Sequence, residues 1–300
     1  MDIRQLQYLV TLAQERHFTR AAAACNVTQP TLSGRIRQLE IELGVPIIER
    51  GKKFHGLTPE GERILVWAKK VLADCNSLRN EVVGKSTEMF GKVNIGVIPS
   101  ADVAIASLIL DLKKRHPHAH ATIHLMSHGE IHKALEDYKI DAGITYTQFS
   151  DAKRHSSFTL YEENYRLFMP AGHYLQGAEA VEWEAALNAG QMVAVSPNMQ
   201  NRMMVDSTLR FLGVELDPDI EAETIPALGG FIRAGYCAIL PELSALSLGV
   251  GIVSVPLITP AVSHSVGMVM TKRELEPAII TSLVDCAVQY KKPLLPTQVD

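Results

Sequence analysis

The sequence predicts a multidomain chain in three parts: an N-terminal α-helical winged helix-turn-helix, a long linker helix, and a C-terminal α/β region of two lobes. Three observations predict it. Apolar residues recur at helical spacing through residues 3–43, at heptad spacing through 64–82, and as alternating strand and helix patterns after 91. The length of 300 residues is two to three ordinary domains. The expected boundaries are 1–58 for the head, 59–88 for the linker helix and 89–300 for the lobed region.

The head is justified element by element. Ile3, Leu6, Leu9, Val10 and Ala13 form one apolar face, and a second helix follows from Thr19 with Ala21, Ala22 and Cys25 on its inner side. After a short Asn26-Val27 turn, Thr28 is an N-cap candidate for a third helix whose Leu32, Ile36, Leu39 and Leu43 step by four, three and four. Gly44 ends it, before Val45-Pro46. Two helices joined by so short a turn describe a helix-turn-helix. Residues 47–58 then read as two short extended pieces around a Gly-Lys-Lys tip, a basic wing.

Thr58-Pro59-Glu60 is a helix start: a cap residue, proline at the first helical position and an acid in the first turn. Ile64, Ala68, Val71, Cys75, Leu78 and Val82 form a heptad seam along the helix it opens, widened by Leu65 and Leu72. A helix of about 26 residues is about 39 Å long, more than a small head can cover. The seam is therefore expected to dimerise the chain, the alternative being packing on another domain of the same chain.

Beyond residue 91 the expected strands are 92–98, 121–126 and 142–146, separated by helices 102–116 and 128–138. A second set opens at 165–169 and runs through 192–195, 237–240 and 251–255, with helices at 201–212 and 228–234. A last strand at 265–270 and a helix at 279–290 close the chain. Alternation of this kind predicts a mostly parallel sheet with helices on both faces.

Charge and composition narrow the function. The formal net charge is −4, but residues 1–90 carry 13 Lys and Arg against 10 Asp and Glu, which leaves 16 against 23 for the rest. A basic head on an acidic remainder divides the labour. No apolar run approaches the ~18 residues of a membrane span, and the N-terminus has no apolar signal segment, so a cytoplasmic location is expected. Cys25, Cys75, Cys237 and Cys286 are far apart with no C-x-x-C pair, so they read as free thiols. None of the dinucleotide, phosphate-loop, nucleophile-elbow or H-E-x-x-H patterns is present, so no enzyme chemistry and no cofactor are expected.

With Leu32, Ile36, Leu39 and Leu43 inward, the third helix turns Pro30, Gly34, Arg37 and Gln38 outward, with Gln29, Thr31 and Ser33 at its start. Readers of the major groove place short polar side chains there. Thr28, Gln29, Pro30, Thr31, Ser33, Gly34, Arg35, Arg37 and Gln38 are thus the candidate DNA contacts, and Arg50, Lys52 and Lys53 of the wing suit phosphates. The run Phe18-Thr19-Arg20-Ala21-Ala22 … Thr28-Gln29-Pro30-Thr31-Leu32-Ser33 … Leu39-Glu40 … Leu43-Gly44-Val45-Pro46 … Leu57-Thr58-Pro59-Glu60-Gly61 resembles the N-terminal signature of LysR-type transcriptional regulators, nearly continuously over 1–65. Gly34-Arg35 sits where members of that family vary, often with Arg or Lys then Gln, so base preference is not carried over, and Ile48 stands where Phe is usual.

That resemblance implies a homodimer or homotetramer on an interrupted palindrome in promoter DNA, contact with RNA polymerase, and two periplasmic-binding-protein-like lobes with a small-molecule effector between them. It also implies that the chain crosses between lobes near 161–165 and 263–267, so that one lobe takes about 91–162 and 266–295 and the other about 163–265. A cleft at the carboxyl ends of strands would be lined by Ser100 and Ala101 after the first strand, with Ser100 as a cap. Ser127 and His128, Thr145 and Gln148, and in the second lobe Ser196, Asn198, Met199 and Gln200 complete the expected lining. Converging helix N-termini favour a small anion such as a carboxylate. Six of the eleven histidines fall within 116–132, and His128 and His132 stand at a metal-compatible i, i+4 spacing. With no cysteine among them and their elements apart, the expectation is solvated or capping histidines and no metal.

Overall fold

The computed structural model describes residues 1–49, 54–83, 91–273 and 275–290. The chain divides into two compact units, Met1–Lys85 and Ser86–Asp300. No helix among the described residues is long and apolar enough to cross a membrane.

The first unit holds four helices: α1 (Ile3–Glu15), α2 (Phe18–Ala24), α3 (Gln29–Leu43) and α4 (Pro59–Val83). Asp2 caps α1 through a capping box with Gln5, and Thr28 caps α3 by accepting from the Thr31 N–H. Leu9, Leu12, Leu32, Ile36 and Leu39 are fully or almost fully buried between α1, α2 and α3. Leu43 departs from the expected buried face: with the small core filled by those side chains, the last turn of α3 is left outside and Leu43 is 39% exposed. Among the described residues the expected wing shows one antiparallel bridge, Ile48 with Leu57, and a Glu49 N–H to Gly56 carbonyl bond of 3.1 Å. Arg50, Lys52 and Lys53 lie outside the described residues.

Helix α4 begins where the Thr-Pro-Glu start predicts. The Gly61 N–H donates to Thr58 Oγ1 (2.9 Å), and the Thr58 N–H donates to the Ile47 carbonyl (2.9 Å). Its first three turns do not leave the seam free. Leu65 and Ala68 are buried in a cluster with Leu6, Leu9, Leu39 and Ile47, and Ile64, Val71 and Leu72 pack partly buried against it. Tertiary packing against α1 takes this face first because it is the nearest apolar surface. Cys75 is half-buried, Leu78 is 62% exposed, and Val66 and Trp67, which the heptad did not select, are exposed to a similar degree. The side chain of Val82 lies outside the described residues.

The second unit holds β1 (Lys92–Val97), α5 (Asp102–Arg115), β2 (His120–Leu125), α6 (His128–Glu136), β3 (Ala142–Tyr146) and β4 (His155–Pro170). It continues with β5 (Val181–Glu182), α7 (Trp183–Leu187), β6 (Val193–Val195), α8 (Gln200–Phe211), β7 (Ile220–Ala222) and α9 (Ile225–Arg233). Last come β8 (Ala238–Pro241), α10 (Ala245–Leu248), β9 (Ile252–Ile258), β10 (Ser263–Thr271) and α11 (Ala278–Val288). One sheet runs β2-β1-β3-β10-β4-β9-β5 with β8 also on β4, and β6 and β7 form a separate pair.

This sheet is not mostly parallel. β1–β2, β1–β3, β5–β9 and β6–β7 are parallel, but β10 lies antiparallel to β3 and β4, and β4 antiparallel to β8 and β9. The cause is connectivity. The chain leaves the first lobe along β4 and returns along β10, so the two crossings lie side by side in opposite directions, Ser263 opposite Asn164 and Thr271 opposite His155. The extended segment expected from 165 is only the far half of β4, which runs unbroken from the first lobe into the second. Its near half pairs with β10 and its far half, Tyr165–Pro170, with β8 and β9. Phe168 on that far half joins Val193, Ile225, Leu228, Ile232, Ala238 and Leu240 in a core of the second lobe.

Candidate functional site

The first candidate surface is the outer side of α3. Thr28, Gln29, Pro30, Thr31, Gly34, Arg35, Arg37 and Gln38 are exposed and Ser33 is half-buried, because the Leu32–Ile36–Leu39 stripe holds the opposite side in the core. Some of these side chains have neighbours: the Thr28 and Thr31 hydroxyls are 2.8 Å apart, Arg35 reaches Asp2 at 3.7 Å, and Gln38 donates to Glu42 (3.2 Å). A polar helix N-terminus standing clear of its core has donors and acceptors to present to base edges.

The second is a cavity of about 520 Å³ in the second unit, between the ends of β1, β2 and β3 on one side and of β6 and β7 on the other. Of the expected lining residues, Ser100, Ser127, His128, Asn198, Met199 and Gln200 line it. The other four are placed elsewhere. Ala101 is fully buried, and Thr145 is fully buried behind His128, its Oγ1 2.8 Å from His128 Nδ1. Gln148 is turned to β10, 2.7 Å from His264 Nδ1 and accepting from the Ser265 N–H (3.1 Å). Ser196 gives its backbone N–H to the Ala222 carbonyl, closing the β6–β7 end.

Ser100 does not cap α5: the N-cap there is Ala101, without a side-chain bond. Ser100 instead sits in a 3-10 turn, Pro99–Ala101, 5% exposed, with its hydroxyl 3.4 Å from that of Tyr146. Tyr146 donates to Glu163 Oε1 (2.7 Å), and burial first, then the Glu163 charge, pushes its phenol pKa well up. This places a bonded tyrosine–carboxylate pair at the floor of the cleft, where β4 passes between lobes.

Sequence reasoning missed Asp102, Glu130, Tyr146, Asn201 and the turn Glu223–Pro226, all of which line the cavity. Two had a signal. Ser127-x-x-Glu130 is a capping box, and it forms, the Ser127 N–H donating to Glu130 Oε2 at 2.8 Å. Thr224-Ile225-Pro226 puts proline in the first turn and starts α9 three residues before the apolar pattern suggested. Tyr146 had none, since a tyrosine ending a buried strand looks like core.

The electrostatics are specific. Burial raises the Asp102 carboxyl pKa, while the bonds from Ser127 lower that of Glu130. Burial, with His132 beside it, holds His128 at about 4, so it is neutral at pH 7. His128 and His132 are in ring contact (4.5 Å), as are His132 and His155 (5.4 Å). His120 and His124 are exposed along β2, and His116 Nε2 lies 2.9 Å from Ser282 Oγ. Among the described residues no group of three or more His, Cys, Asp or Glu gathers as a metal site.

Residues 3–62 match the family described as bacterial regulatory helix-turn-helix protein, lysR family, and residues 86–292 match the LysR substrate binding domain. The chain is similar to a hydrogen peroxide-inducible genes activator of Haemophilus influenzae, 28% identical over 273 residues and 90% of each chain. It is 29% identical over 276 residues to the DNA-binding transcriptional dual regulator OxyR of Escherichia coli K12, covering 90% of this chain and 89% of that one. Among solved structures, a full-length OxyR variant from Pseudomonas aeruginosa superposes with a TM-score of 0.74 at 27% identity, over 100% of this chain and 99% of that one. A regulatory head and a substrate-binding domain, matched in order along one chain, make this protein a member of the LysR family, a DNA-binding transcriptional regulator with an effector-binding domain.

Proposed function

We propose that this regulator reads promoter DNA as a homo-oligomer in the cytoplasm, through the outer side of α3 and the basic wing, and that a small molecule in the cleft alters that binding and the contact with RNA polymerase. Residues 1–58 are the reading head, 59–88 the linker that pairs two chains, and 89–300 the sensor. No chemical step is needed: regulation follows from a difference in ligand affinity between two arrangements of the lobes. The observation that carries the reading is the exposed polar start of α3, with Gln29, Pro30, Thr31 and Gly34 solvent-facing on a buried Leu32–Ile36–Leu39 base.

Gln29, Ser33 and Arg37 are assigned to base edges, with Thr28, Pro30, Thr31, Gly34, Arg35 and Gln38 framing them. Replacing Gln29 or Ser33 by alanine should change the preferred sequence at about 1–3 kcal/mol per lost base contact. The check is a binding-site selection on both variants; an unchanged consensus sinks the assignment. Arg50, Lys52 and Lys53 are assigned to phosphates. The triple alanine variant should bind every sequence more weakly, its log–log salt slope falling by about 0.9 per lost phosphate contact. Parental affinity at all salt concentrations would remove the wing from the interface.

For pairing, Leu78 and Cys75 of the expected seam are available, joined by exposed Val66 and Trp67, whereas Ala68 serves its own head. For the sensor, Ser100, Ser127, His128, Asn198, Met199 and Gln200 are assigned to the ligand. The named relatives raise a second reading, a response to peroxide. The cysteines speak against it here. Cys237 and Cys286 are buried with thiol pKa values raised by that burial, which suppresses the reactive thiolate, and none of the four lines the cleft.

A further inference from the structure

The charged side chains of the cleft are all of one sign. Asp102, Glu130 and Glu223 line it, and among the described residues no Lys or Arg does. Asp102 is half-buried and has no ion-pair partner among the described residues, so its carboxylate is partly stripped of water and eased only by the Val103 backbone N–H. His128, neutral at pH 7, adds no positive charge.

The opposite wall has the complementary character. Helices α8 and α9 both start at the cavity, and neither has a side-chain cap: Met199 precedes α8, and Thr224 precedes α9 without a cap bond. Their first-turn amides and dipoles point a positive potential into the space. Asn201, the second residue of α8, is 5% exposed and lines the cavity. Its Oδ1 accepts from the Arg202 N–H (2.9 Å), while its Nδ2 has no hydrogen-bond partner among the described residues. An amide donor that lines the cavity at a helix N-terminus with no partner among the described residues is free to take an acceptor. Between the two walls Leu125, Met126, Met199 and Ile225 supply apolar surface.

A simple carboxylate would satisfy the α8–α9 wall and meet three acids with no Lys or Arg among the described lining residues to offset them. A simple amine would satisfy the acids and leave the helix starts and Asn201 open. We propose that the ligand of this cleft is a small zwitterion of the α-amino-acid class, its carboxylate on the α8 and α9 N-termini and Asn201, its ammonium on Asp102 and Glu130. This rests on the reading of the cleft as the effector site and gives that site a ligand chemistry. It keeps the anion expected from the helix termini and adds the cation that only the structure calls for.

The test uses the full-length protein, thermal shift and calorimetry. Each of the twenty standard L-amino acids is screened, and three frameworks are compared as matched sets: L-leucine, isoamylamine and 4-methylpentanoate; L-methionine, 3-(methylthio)propylamine and 4-(methylthio)butanoate; L-phenylalanine, phenethylamine and 3-phenylpropanoate. At least one amino acid should bind, with its amine and its acid at least tenfold weaker. Asp102→Asn should weaken the amino acid at least tenfold and leave the matched acid unchanged. Because the buried Asp102 carboxylate carries a desolvation cost, the ligand-free variant should melt no lower than the parent; a purely structural Asp102 would lower the melting temperature. Silence with all twenty amino acids, or an acid or amine that binds as tightly as its zwitterion, overturns the proposal. Met199→Trp, which fills the cavity, separates the two readings. An acid lost on Met199→Trp leaves the cleft as the effector site and ends only the zwitterion; an amino acid still bound by Met199→Trp ends the cleft reading itself.

Discussion

Gly61→Ala is expected to destabilise the first unit by about 3 kcal/mol and with it to abolish DNA binding. A Cβ at this position would stand 2.2 Å from the Ile47 carbonyl oxygen and 3.0 Å from the Ile47 carbonyl carbon. The opposing group is backbone, so no rotamer change relieves the contact. Relief requires the first turn of α4 to lift from Ile47, a fully buried residue whose carbonyl already accepts from the Thr58 N–H. The gain in helix propensity on replacing glycine, about 1 kcal/mol, is too small to offset this. Gly34 supplies the control. It is exposed in α3 with nothing within 4 Å of its would-be Cβ, so Gly34→Ala should stabilise the unit by roughly 0.5–1 kcal/mol. Chemical denaturation of the two variants followed by helix circular dichroism decides the matter; equal shifts of the same sign would remove the close-approach argument.

Arg202→Ala should lower the stability of the second unit by about 2–4 kcal/mol, or some 4–16 °C in melting temperature for a unit of this size. Arg202 is 7% exposed in the first turn of α8 and binds three elements at once. Its Nη1 donates to the Val195 carbonyl at the end of β6 (3.0 Å) and to Glu221 on β7 (3.0 Å), and its Nε donates to Asp206 one turn on (2.8 Å). Removal leaves a buried carbonyl without its donor and two carboxylates without a cation. Asp206 and Glu221 keep partial access to water (28% and 42%), which moderates the cost. Arg202→Lys should recover only part of the loss, because an ammonium cannot span three acceptors held in a planar fork. Differential scanning calorimetry reads all three proteins. A parental melting temperature for Arg202→Ala would mean that the network contributes nothing to holding α8, and thus the cleft's second wall, in place.

The head was legible because its signals are local. Thr28, Gly44 and the Thr58-Pro59-Glu60 start act within one turn of themselves, and the inward stripe of α3 needs only its own period. Leu43 and Ala68 show the limit. The period marks a residue as apolar, but which apolar surface reaches it first depends on a neighbour, here α1 and a core already filled. The cleft was legible in half. Ser100, Ser127, His128, Asn198, Met199 and Gln200 follow strands, and following a strand is enough to reach the cleft rim. Thr145 lies inside β3 and stays buried behind His128, while Gln148, which does follow that strand, bonds to β10, a partner more than a hundred residues away.

By itself, the sequence determined the helix-turn-helix, the outward face of α3, the long helix start and the alternation of strand and helix, all of them consequences of spacing within a few residues. Only the tertiary structure decided that β10 runs antiparallel beside the near half of β4, that Tyr146 reaches Glu163 beneath the cleft, and that Asp102 and Glu130 share a cavity with the uncapped starts of α8 and α9. The reason is physical: a period reports which side of an element is apolar, whereas the charge of a cavity is a sum over segments far apart in the chain that packing alone brings together.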